Sequence, residues 1–452
     1  VAIEEYGPQT VSEVTGLAAD KIVRISREFA RHRPALVLCG DSATAHSNGI
    51  FTATAAHALN ALMGNLGQPG GMSFAPTLPF AQLPELPRSL VVQSGQDYPA
   101  LGQENGLLNI TKLAEQLNAG QPYSIDVLFL YESNPLYSLP ASLRFHEALE
   151  KIPLVVSFSN FMDESTLMSD LILPDHTFLE SWGDSVPDPM VAGLTVGLAQ
   201  PVLSPIFNTR STPDVLLEVA RALGEDWRTA FPWDNFEELL KDAWQGLHRV
   251  GASDDNFASF WEQVLASGKW HRESSEDVKE RVFDLSPAIS ASREPAFSGA
   301  KTEFPFHLHI YQSLSLSDGR GANQPWMQEL PDPLTTVSWG SWVEINPRTA
   351  QELGIDEGNL VRVESPHGEL QAPALLFPGV RPDTISIPAG QGHLSYGRYA
   401  ESRGVNPMEL LAPAVEPTSG ALAWASTRVK LLKVVGSVEL IKIGDTEVSG
   451  AG

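Results

Sequence analysis

The sequence predicts an α/β protein that ends in a small β-barrel. Short apolar runs alternate with helical patterns along the first half of the chain, which is typical of a parallel sheet with crossover helices. From about residue 304 onward, short strands with alternating apolar and polar residues follow one another. The 452 residues are 42% hydrophobic and 19% charged, so the chain can bury a sizeable core. This length suggests roughly two to four domains.

Two α/β units are predicted before residue 225. A short apolar run ending in Gly predicts a buried strand at residues 34–40, and further strands are predicted at 125–131, 154–157 and 170–174. Helical periodicity predicts helices at residues 10–31, 48–63 and 141–151. A further helix is expected to begin at the N-cap Thr212 and to end at Gly224, because Pro213 suits a first helical turn.

The second half of the chain divides into a helical insertion and a β-rich region. Residues 226–295 are rich in tryptophan and charge and carry helical patterns, and the polar residues 273–300 are expected to form a linker. Strands are predicted at residues 306–311, 359–364, 369–376, 383–388 and 428–434. A small closed or half-closed barrel would remove the exposed edges of these strands.

Charge and cysteine content exclude several classes of protein. The formal net charge of −25 and the sequence pI near 4.8 argue against nucleic-acid binding and against docking on anionic lipid. The single cysteine, Cys39, can form neither an internal disulfide nor a four-thiolate cluster. No apolar run reaches the roughly 18–20 residues of a membrane span. Because Val1 is neither an initiator Met nor part of a signal-peptide pattern, we expect the chain to start inside a longer reading frame or after processing.

Polar side chains follow two of the predicted parallel strands. Asn134 and Ser138 lie in the loop after the strand at 125–131, and Ser157 and Ser159 lie at the end of the next strand. Ligands of open α/β sheets bind at this edge, so these side chains could hold a phosphate, a base or a ribose. The local alternatives are an Asn-Pro turn and a Ser turn, which require no ligand.

An acidic set and a glycine-rich loop are further candidates. The acidic set is Asp163, Glu164, Asp175 with His176, and Glu180; it could supply a general acid and base, or it could be a solvated loop. The loop at residues 390–406 would let a ligand approach the backbone beside His393, Arg398 and Asn406, or it could be a barrel corner. His307 and His309 share a strand face but have no third ligand at usable spacing. A nicotinamide dehydrogenase is disfavoured because no G-x-G-x-x-G follows a strand.

Taken in order, these segments resemble the C-terminal two thirds of the molybdopterin oxidoreductase family of the dimethyl sulfoxide reductase type. The resemblance rests on LNALMGNLGQPGG at residues 59–71, NPLYS at 134–138, DLILP at 170–174 and VEINP at 343–347. Within the family, LESWGD at 179–184 and the segment 326–333 resemble a quinone-linked respiratory branch. That branch includes polysulfide reductase, the menaquinone reductase complex and alternative complex III.

The resemblance implies a domain organisation. Residues 1–75 would end one α/β domain, and residues 76–225 would form an α/β dinucleotide-binding-like domain. Residues 226–300 would be the helical insertion and linker. Residues 301–452 would form a double-psi β-barrel that binds a pterin dinucleotide.

The resemblance also implies a bis(molybdopterin guanine dinucleotide) cofactor with molybdenum or tungsten. Carried over residue by residue, Asn134 and Ser138 match the nucleotide loop, Ser157 and Ser159 the guanine and ribose positions, and Asp175 lies near the guanine. Gln312 and Ser313 would face a pterin, as would His393 and Asn406. Ser159 departs from the Asp that is usual in the family. A 4Fe-4S cluster is expected only in a missing N-terminal region or a partner, and no catalytic or metal-ligating residue is assigned in this chain.

Two functional hypotheses follow from the resemblance. In the first, the chain is part of a molybdenum or tungsten oxidoreductase subunit of a periplasmic, membrane-associated complex. Its partners would be an iron–sulfur subunit, an integral membrane quinone-interacting subunit and a multihaem cytochrome c. In the second, the chain is a cofactor-free scaffold that docks iron–sulfur partners. Grooves filled by the chain's own side chains would argue against the first hypothesis.

Overall fold

The computed structural model describes residues 6–68, 70–72, 78–81, 110–120, 125–187, 193–251, 256–273 and 294–444. In these residues the strands form two three-stranded sheets and one closed six-stranded barrel. The helices are α1 Pro8–Thr15, α2 Ala19–Arg31, α3 Gly49–Leu62, α4 Ile110–Ala119, α5 Pro135–Ser138, α6 Phe145–Leu149, α7 Glu164–Leu167, α8 Thr212–Ala222, α9 Glu225–Ala230, α10 Phe236–Gly251, α11 Phe257–Ser267, α12 Pro325–Glu329 and α13 Pro347–Leu353. The strands are β1 Val127–Leu130, β2 Leu154–Ser157, β3 Leu171–Ile172, β4 Gly183–Ser185, β5 Leu194–Ala199, β6 Lys269–Arg272, β7 Phe306–Gln312, β8 Val343–Ile345, β9 Asn359–Glu364, β10 Glu369–Leu376, β11 Thr384–Ala389 and β12 Arg428–Ser437.

The N-terminal segment differs from the sequence-based prediction in two places. The single helix expected at residues 10–31 is broken at Gly16, which adopts a left-handed φ of 69° and ends α1. The strand expected at residues 34–40 is absent from the described residues, so that prediction is wrong. The side chain of the fully buried Asn60 binds both main-chain groups of Val37, with Val37 N to Oδ1 at 2.9 Å and Nδ2 to Val37 O at 2.8 Å. A side-chain amide thus satisfies the peptide groups that a neighbouring strand would otherwise satisfy.

The α/β lobe is built on a parallel sheet in the order β1-β2-β3. Leu130 pairs with Ser157 at the end of the β1–β2 register, so both chains leave the sheet at the same edge. Apolar side chains from the helices pack on one side of this sheet. They include Leu113 and Leu117 of α4, Leu143, Phe145 and Leu149, with Val155 of β2. The predicted strand at 154–157 coincides with β2, and the predicted parallel sheet is confirmed.

A second small sheet joins the helical segment to the lobe. Strands β4, β5 and β6 are antiparallel, and β6 comes from the segment that follows α11. The fully buried Trp244 of α10 donates its indole N–H to Asp184 of β4 at 3.0 Å. The described residues between 226 and 300 therefore supply a strand as well as helices.

The C-terminal part is the predicted barrel. Its strand order is β10-β8-β11-β7-β12-β9, and β10/β8 and β11/β7 pair in parallel while the other pairs are antiparallel. The interior is filled mainly by Ile, Val, Leu and Ala side chains of these strands, which excludes water from the barrel centre. Tyr311 and Trp342 both donate to the buried Glu344, at 2.6 and 3.1 Å. The predicted α/β fold followed by a closed barrel is confirmed.

Candidate functional site

The C-terminal edge of the parallel sheet faces two loops of the barrel. We call this contact the seam: it joins residues 131–165 of the α/β lobe to residues 316–323 and 390–411 of the barrel. Tyr137 lies at its centre, where its hydroxyl donates to Gln391 O at 2.9 Å and its own carbonyl accepts from Asn406 Nδ2 at 2.8 Å. Ser142 donates to Leu411 O at 2.7 Å. The seam is therefore fixed by hydrogen bonds of the protein's own groups.

Glu164 is the acceptor around which the rest of the seam is organised. It begins the short helix α7, just after the capping residue Asp163, whose side chain accepts from Thr166 N at 2.7 Å. Its Oε1 accepts from Leu394 N at 2.7 Å and from Ser395 N at 3.2 Å. Its Oε2 accepts from Asn134 Nδ2 at 2.6 Å. We call Glu164 and the four residues that bond to its carboxylate the Glu164 cluster: Asn134, His393, Leu394 and Ser395.

The hydrogen bonds of the cluster keep the Glu164 carboxylate ionised. Burial by itself would raise the pKa of this group, since only 11% of the side chain is exposed. The hydrogen bonds from His393 and Asn134 outweigh that effect and lower the pKa to about 2. The seam thus contains a fixed negative charge at neutral pH.

His393 connects both loops of the barrel to Glu164. Its Nδ1 lies 3.2 Å from Glu164 Oε1, and its Nε2 lies 3.1 Å from Gly319 O. Both partners accept hydrogen bonds, so the ring makes both bonds only in its doubly protonated form. The ring is 2% exposed and stacks on Tyr137, with centroids 3.7 Å apart.

The residues predicted on the α/β side lie near one another but bond to the protein. Asn134 Oδ1 accepts from Ser165 N and Oγ, at 3.2 and 2.7 Å. Ser138 Oγ donates to Asn134 O at 3.0 Å. The buried Ser157 hydroxyl lies 2.8 Å from Thr166 Oγ1. The polar atoms expected to bind the nucleotide therefore make hydrogen bonds within the protein.

The two positions expected near a guanine are also engaged. Position 159 is Ser and carries no carboxylate, and its Oγ donates to the Asp163 carboxylate at 3.1 Å. Asp175 Oδ1 accepts from His176 N and Thr212 N, both at 2.8 Å. Asp175 therefore fixes the start of α8, whose N-cap is Ser211 and not the predicted Thr212.

The predicted residues of the barrel are divided between the seam and its surroundings. Asn406 is in the seam, where its Oδ1 also accepts from Met408 N at 3.1 Å. Ser313 Oγ lies 3.1 Å from Ser315 Oγ and stabilises its own turn. Gln312 is exposed at the end of β7. His393 and Asn134 thus share the acceptor Glu164, and Asn406 bonds to the neighbouring Tyr137. No hydrogen bond in the described residues joins Ser313 to this group.

The space beside the glycines of the seam is occupied by other atoms of the protein. A Cβ on Gly392 would lie 2.2 Å from Asn406 N, and one on Gly319 would lie 2.5 Å from the Tyr137 ring. Both glycines have positive φ, of 87° and 104°. The close approach that the sequence predicted for a ligand is therefore an approach of the chain to itself.

Sequence reasoning missed the roles of Glu164 and Tyr137. In the sequence alone, Glu164 is one member of an acidic set that could supply a general acid and base or could be a solvated loop. A usable signal was its position in the first turn of a helix after a parallel strand, at the edge where ligands and loops converge.

Comparisons with known proteins agree with this fold and assign its ancestry. Residues 9–222 match the family model described as molybdopterin oxidoreductase, and residues 317–427 match the molydopterin dinucleotide binding domain. The chain belongs to the molybdopterin oxidoreductase family. The two matched models indicate a molybdopterin cofactor for the family's domains, and together they span the α/β lobe and most of the barrel.

Family members with curated descriptions match most of this chain. A menaquinone reductase, molybdopterin-binding-like subunit of Nitratidesulfovibrio vulgaris is 28% identical over 432 residues, covering 95% of this chain and 57% of that protein. The molybdopterin-containing subunit of the arsenate respiratory reductase of Shewanella sp. is 26% identical, covering 96% of this chain and 61% of that protein. The chain therefore spans about three fifths of the length of these relatives.

A solved structure supports the same fold. Acetylene hydratase from Pelobacter acetylenicus superposes with a TM-score of 0.73 at 20% identity, covering 96% of this chain and 65% of that one.

Within the described ranges, no group of three His, Cys, Asp or Glu residues could hold a metal ion. In the same part of the chain, no helix is both long and apolar enough to cross a bilayer.

The seam, in this arrangement, does not fit a pterin dinucleotide of the kind the family's domains indicate. The donors of Asn134, His393 and Asn406 are bonded to protein acceptors. The space beside Gly392 and Gly319 is filled by main chain and rings. The Glu164 carboxylate would also repel a diphosphate at this position, because both groups are anionic. We therefore derive no chemical step through the cofactor at the seam.

Proposed function

We propose that the chain is the C-terminal part of a molybdopterin-oxidoreductase subunit in a membrane-associated, quinone-linked respiratory complex. The observation that carries this proposal is the similarity to a menaquinone reductase subunit along 95% of the chain. The proposed partners are an iron–sulfur electron-transfer subunit, an integral membrane quinone-interacting subunit and a multihaem cytochrome c, in the periplasm. The acidic charge of −25 fits protein partners better than nucleic acid.

Two roles within such a complex are open. In the first, bis(molybdopterin guanine dinucleotide) with molybdenum or tungsten binds on faces that this chain shares with the rest of the subunit, and a 4Fe-4S cluster lies outside the chain. The cofactor would supply two-electron redox chemistry there, while this chain would bind and orient it. In the second, the subunit lacks the cofactor and is a scaffold that docks iron–sulfur partners. The Glu164 cluster favours the second role, because it uses the donors that the first role requires.

Metal and pterin analysis of the intact, purified complex distinguishes the two roles. About one molybdenum or tungsten and two pterins per subunit would establish the first role, and the seam would then have to open to admit them. A complex with neither metal nor pterin, but with an intact iron–sulfur partner, would establish the second. A subunit that copurifies with no quinone-linked or iron–sulfur partner would contradict the proposed complex itself.

A further inference from the structure

Four N–H groups from both lobes converge on the Glu164 carboxylate. Asn134 Nδ2 approaches Oε2 at 2.6 Å, and Leu394 N and Ser395 N approach Oε1 at 2.7 and 3.2 Å. His393 Nδ1 lies 3.2 and 3.3 Å from the two oxygens. Three of the four donors lie about 230 residues away in the sequence, so the arrangement exists only in the folded chain.

This donor set is of the kind that binds oxyanions. Two successive main-chain N–H groups aimed at one oxygen form a common anion-binding arrangement in loops. An amide N–H₂ and an imidazole add directed donors, and hydrogen bonds to an ionised acceptor are stronger than neutral ones. The acceptor and the imidazole are shielded from water, since Glu164 is 11% exposed and His393 is 2% exposed, while the Leu394 side chain is exposed at the edge of the site.

We propose that the N–H groups of Asn134, His393, Leu394 and Ser395 form an oxyanion site that the chain's own Glu164 fills. Glu164 is then an internal anion that joins the two lobes and competes with any external carboxylate or phosphate for the same donors. Removal of its side chain should expose a site for a carboxylate-sized or phosphate-sized anion.

The proposal also explains why the seam does not fit a dinucleotide. A diphosphate would need the donors that Glu164 occupies, and it would face a fixed carboxylate. The inference rests on the proposed function only in naming a dinucleotide as a competitor. The anion site itself can be tested without regard to metal content, so either proposal can fail alone.

The test is chemical rescue of Glu164→Ala in the full-length protein. The thermal midpoint of this variant is measured with sodium formate, inorganic phosphate or pyrophosphate, each against sodium chloride at equal ionic strength. Formate replaces the missing carboxylate, whereas pyrophosphate represents the dinucleotide linkage. An anion present at ten times its Kd should shift the folding equilibrium about 11-fold in favour of the native state.

Two proteins serve as controls for general salt effects. The wild type already holds Glu164 in the site, and Leu143→Ala is a cavity variant in the core of the same lobe, where Leu143 is 5% exposed. A gain confined to Glu164→Ala supports the proposal, whichever of the three anions produces it. Equal gains in all three proteins, or no gain in Glu164→Ala, overturn it. If Glu164→Ala does not accumulate as folded protein, the yield of refolding with and without each anion is compared in the same way.

Discussion

The rings of Tyr137 and His393 are stacked across the seam, with planes 8° from parallel and centroids 3.7 Å apart. Tyr137 comes from the α/β lobe and His393 from the barrel loop. The stack therefore joins two units that are far apart in the chain, and it positions the imidazole between Glu164 and Gly319. Burial, followed by the charges of Glu164 and Asp318, raises the pKa of Tyr137 well above its ordinary value, so the phenol remains a donor at any physiological pH.

Tyr137→Phe and Tyr137→Ala should separate the contribution of the Tyr137 hydroxyl to stability from that of its ring. Tyr137→Phe loses the 2.9 Å bond to Gln391 O in a buried setting but retains the stack, so we expect a loss of about 1–2 kcal/mol in unfolding free energy. Tyr137→Ala also removes the ring and should cost about 3–5 kcal/mol. Urea unfolding followed by tryptophan fluorescence measures both. Tyr131→Phe, at a 48% exposed position, is the matched control and should change stability by less than about 0.5 kcal/mol.

The stabilisation from Glu164 should disappear in acid. Its pKa is lowered on folding from 4.5 to about 2, so the native state favours the ionised form. The contribution is therefore complete above about pH 4.5 and is lost as pH falls toward 2. The difference in urea midpoint between wild type and Glu164→Gln should be constant from pH 7 to 5.5 and should shrink between pH 4.5 and 3. A difference that stays constant down to pH 3 would contradict this assignment.

Asn60 should control the order of residues 35–40. Its amide makes two bonds to Val37 from a fully buried position, so Asn60→Ala leaves two peptide groups without partners and should cost about 2–4 kcal/mol. Asn60→Asp can still accept from Val37 N but cannot donate to Val37 O, so it should not restore stability. Hydrogen exchange of the peptide covering residues 35–40 should accelerate in both variants. The exposed Asn160→Ala should leave that exchange unchanged.

Gly392 should tolerate no side chain. Its φ of 87° is unfavourable for other residues, and a Cβ would lie 2.2 Å from Asn406 N. We expect Gly392→Ala to displace the 390–406 loop and to cost at least about 2–3 kcal/mol. Gly183→Ala, where a Cβ would meet no atom within 4 Å, is the control for the general effect of this substitution. Equal midpoints for the two variants in urea would show that the loop accommodates the methyl group.

Local sequence patterns predicted several of the strands but not β4, β5 or β6. The bounds predicted for residues 154–157, 359–364 and 369–376 agree with the structure to the residue. Each of these strands lies between turn residues, and its alternation or apolar run is contained within a few positions. Information of this kind is local, and a single sequence is enough to read it.

Local patterns predicted the wrong structure for residues 34–40 and did not indicate the role of Glu164. An apolar run predicts a buried strand, but Leu36 and Leu38 are 38% and 83% exposed, and the side chain of Asn60 satisfies the peptide groups of Val37. Glu164 resembles a surface acid because its neighbours in sequence are polar, while His393 is 229 residues away. The nine residues assigned by resemblance remain predictions as ligand contacts. Of these, Asn134 and His393 share the acceptor Glu164, and Asn406 bonds to the neighbouring Tyr137.

In several hydrogen bonds across the seam, the donor position is more sensitive to substitution than the acceptor position. Tyr137, Ser142 and Ser395 each donate from a side chain to a main-chain carbonyl, on Gln391, Leu411 and Met162 respectively. Any amino acid at the accepting position still presents that carbonyl, whereas most replacements of the donor abolish the bond. Sequence drift at Gln391, Leu411 or Met162 should therefore leave these particular bonds intact, and attempts to separate the lobes by mutation should target the hydroxyl-bearing positions.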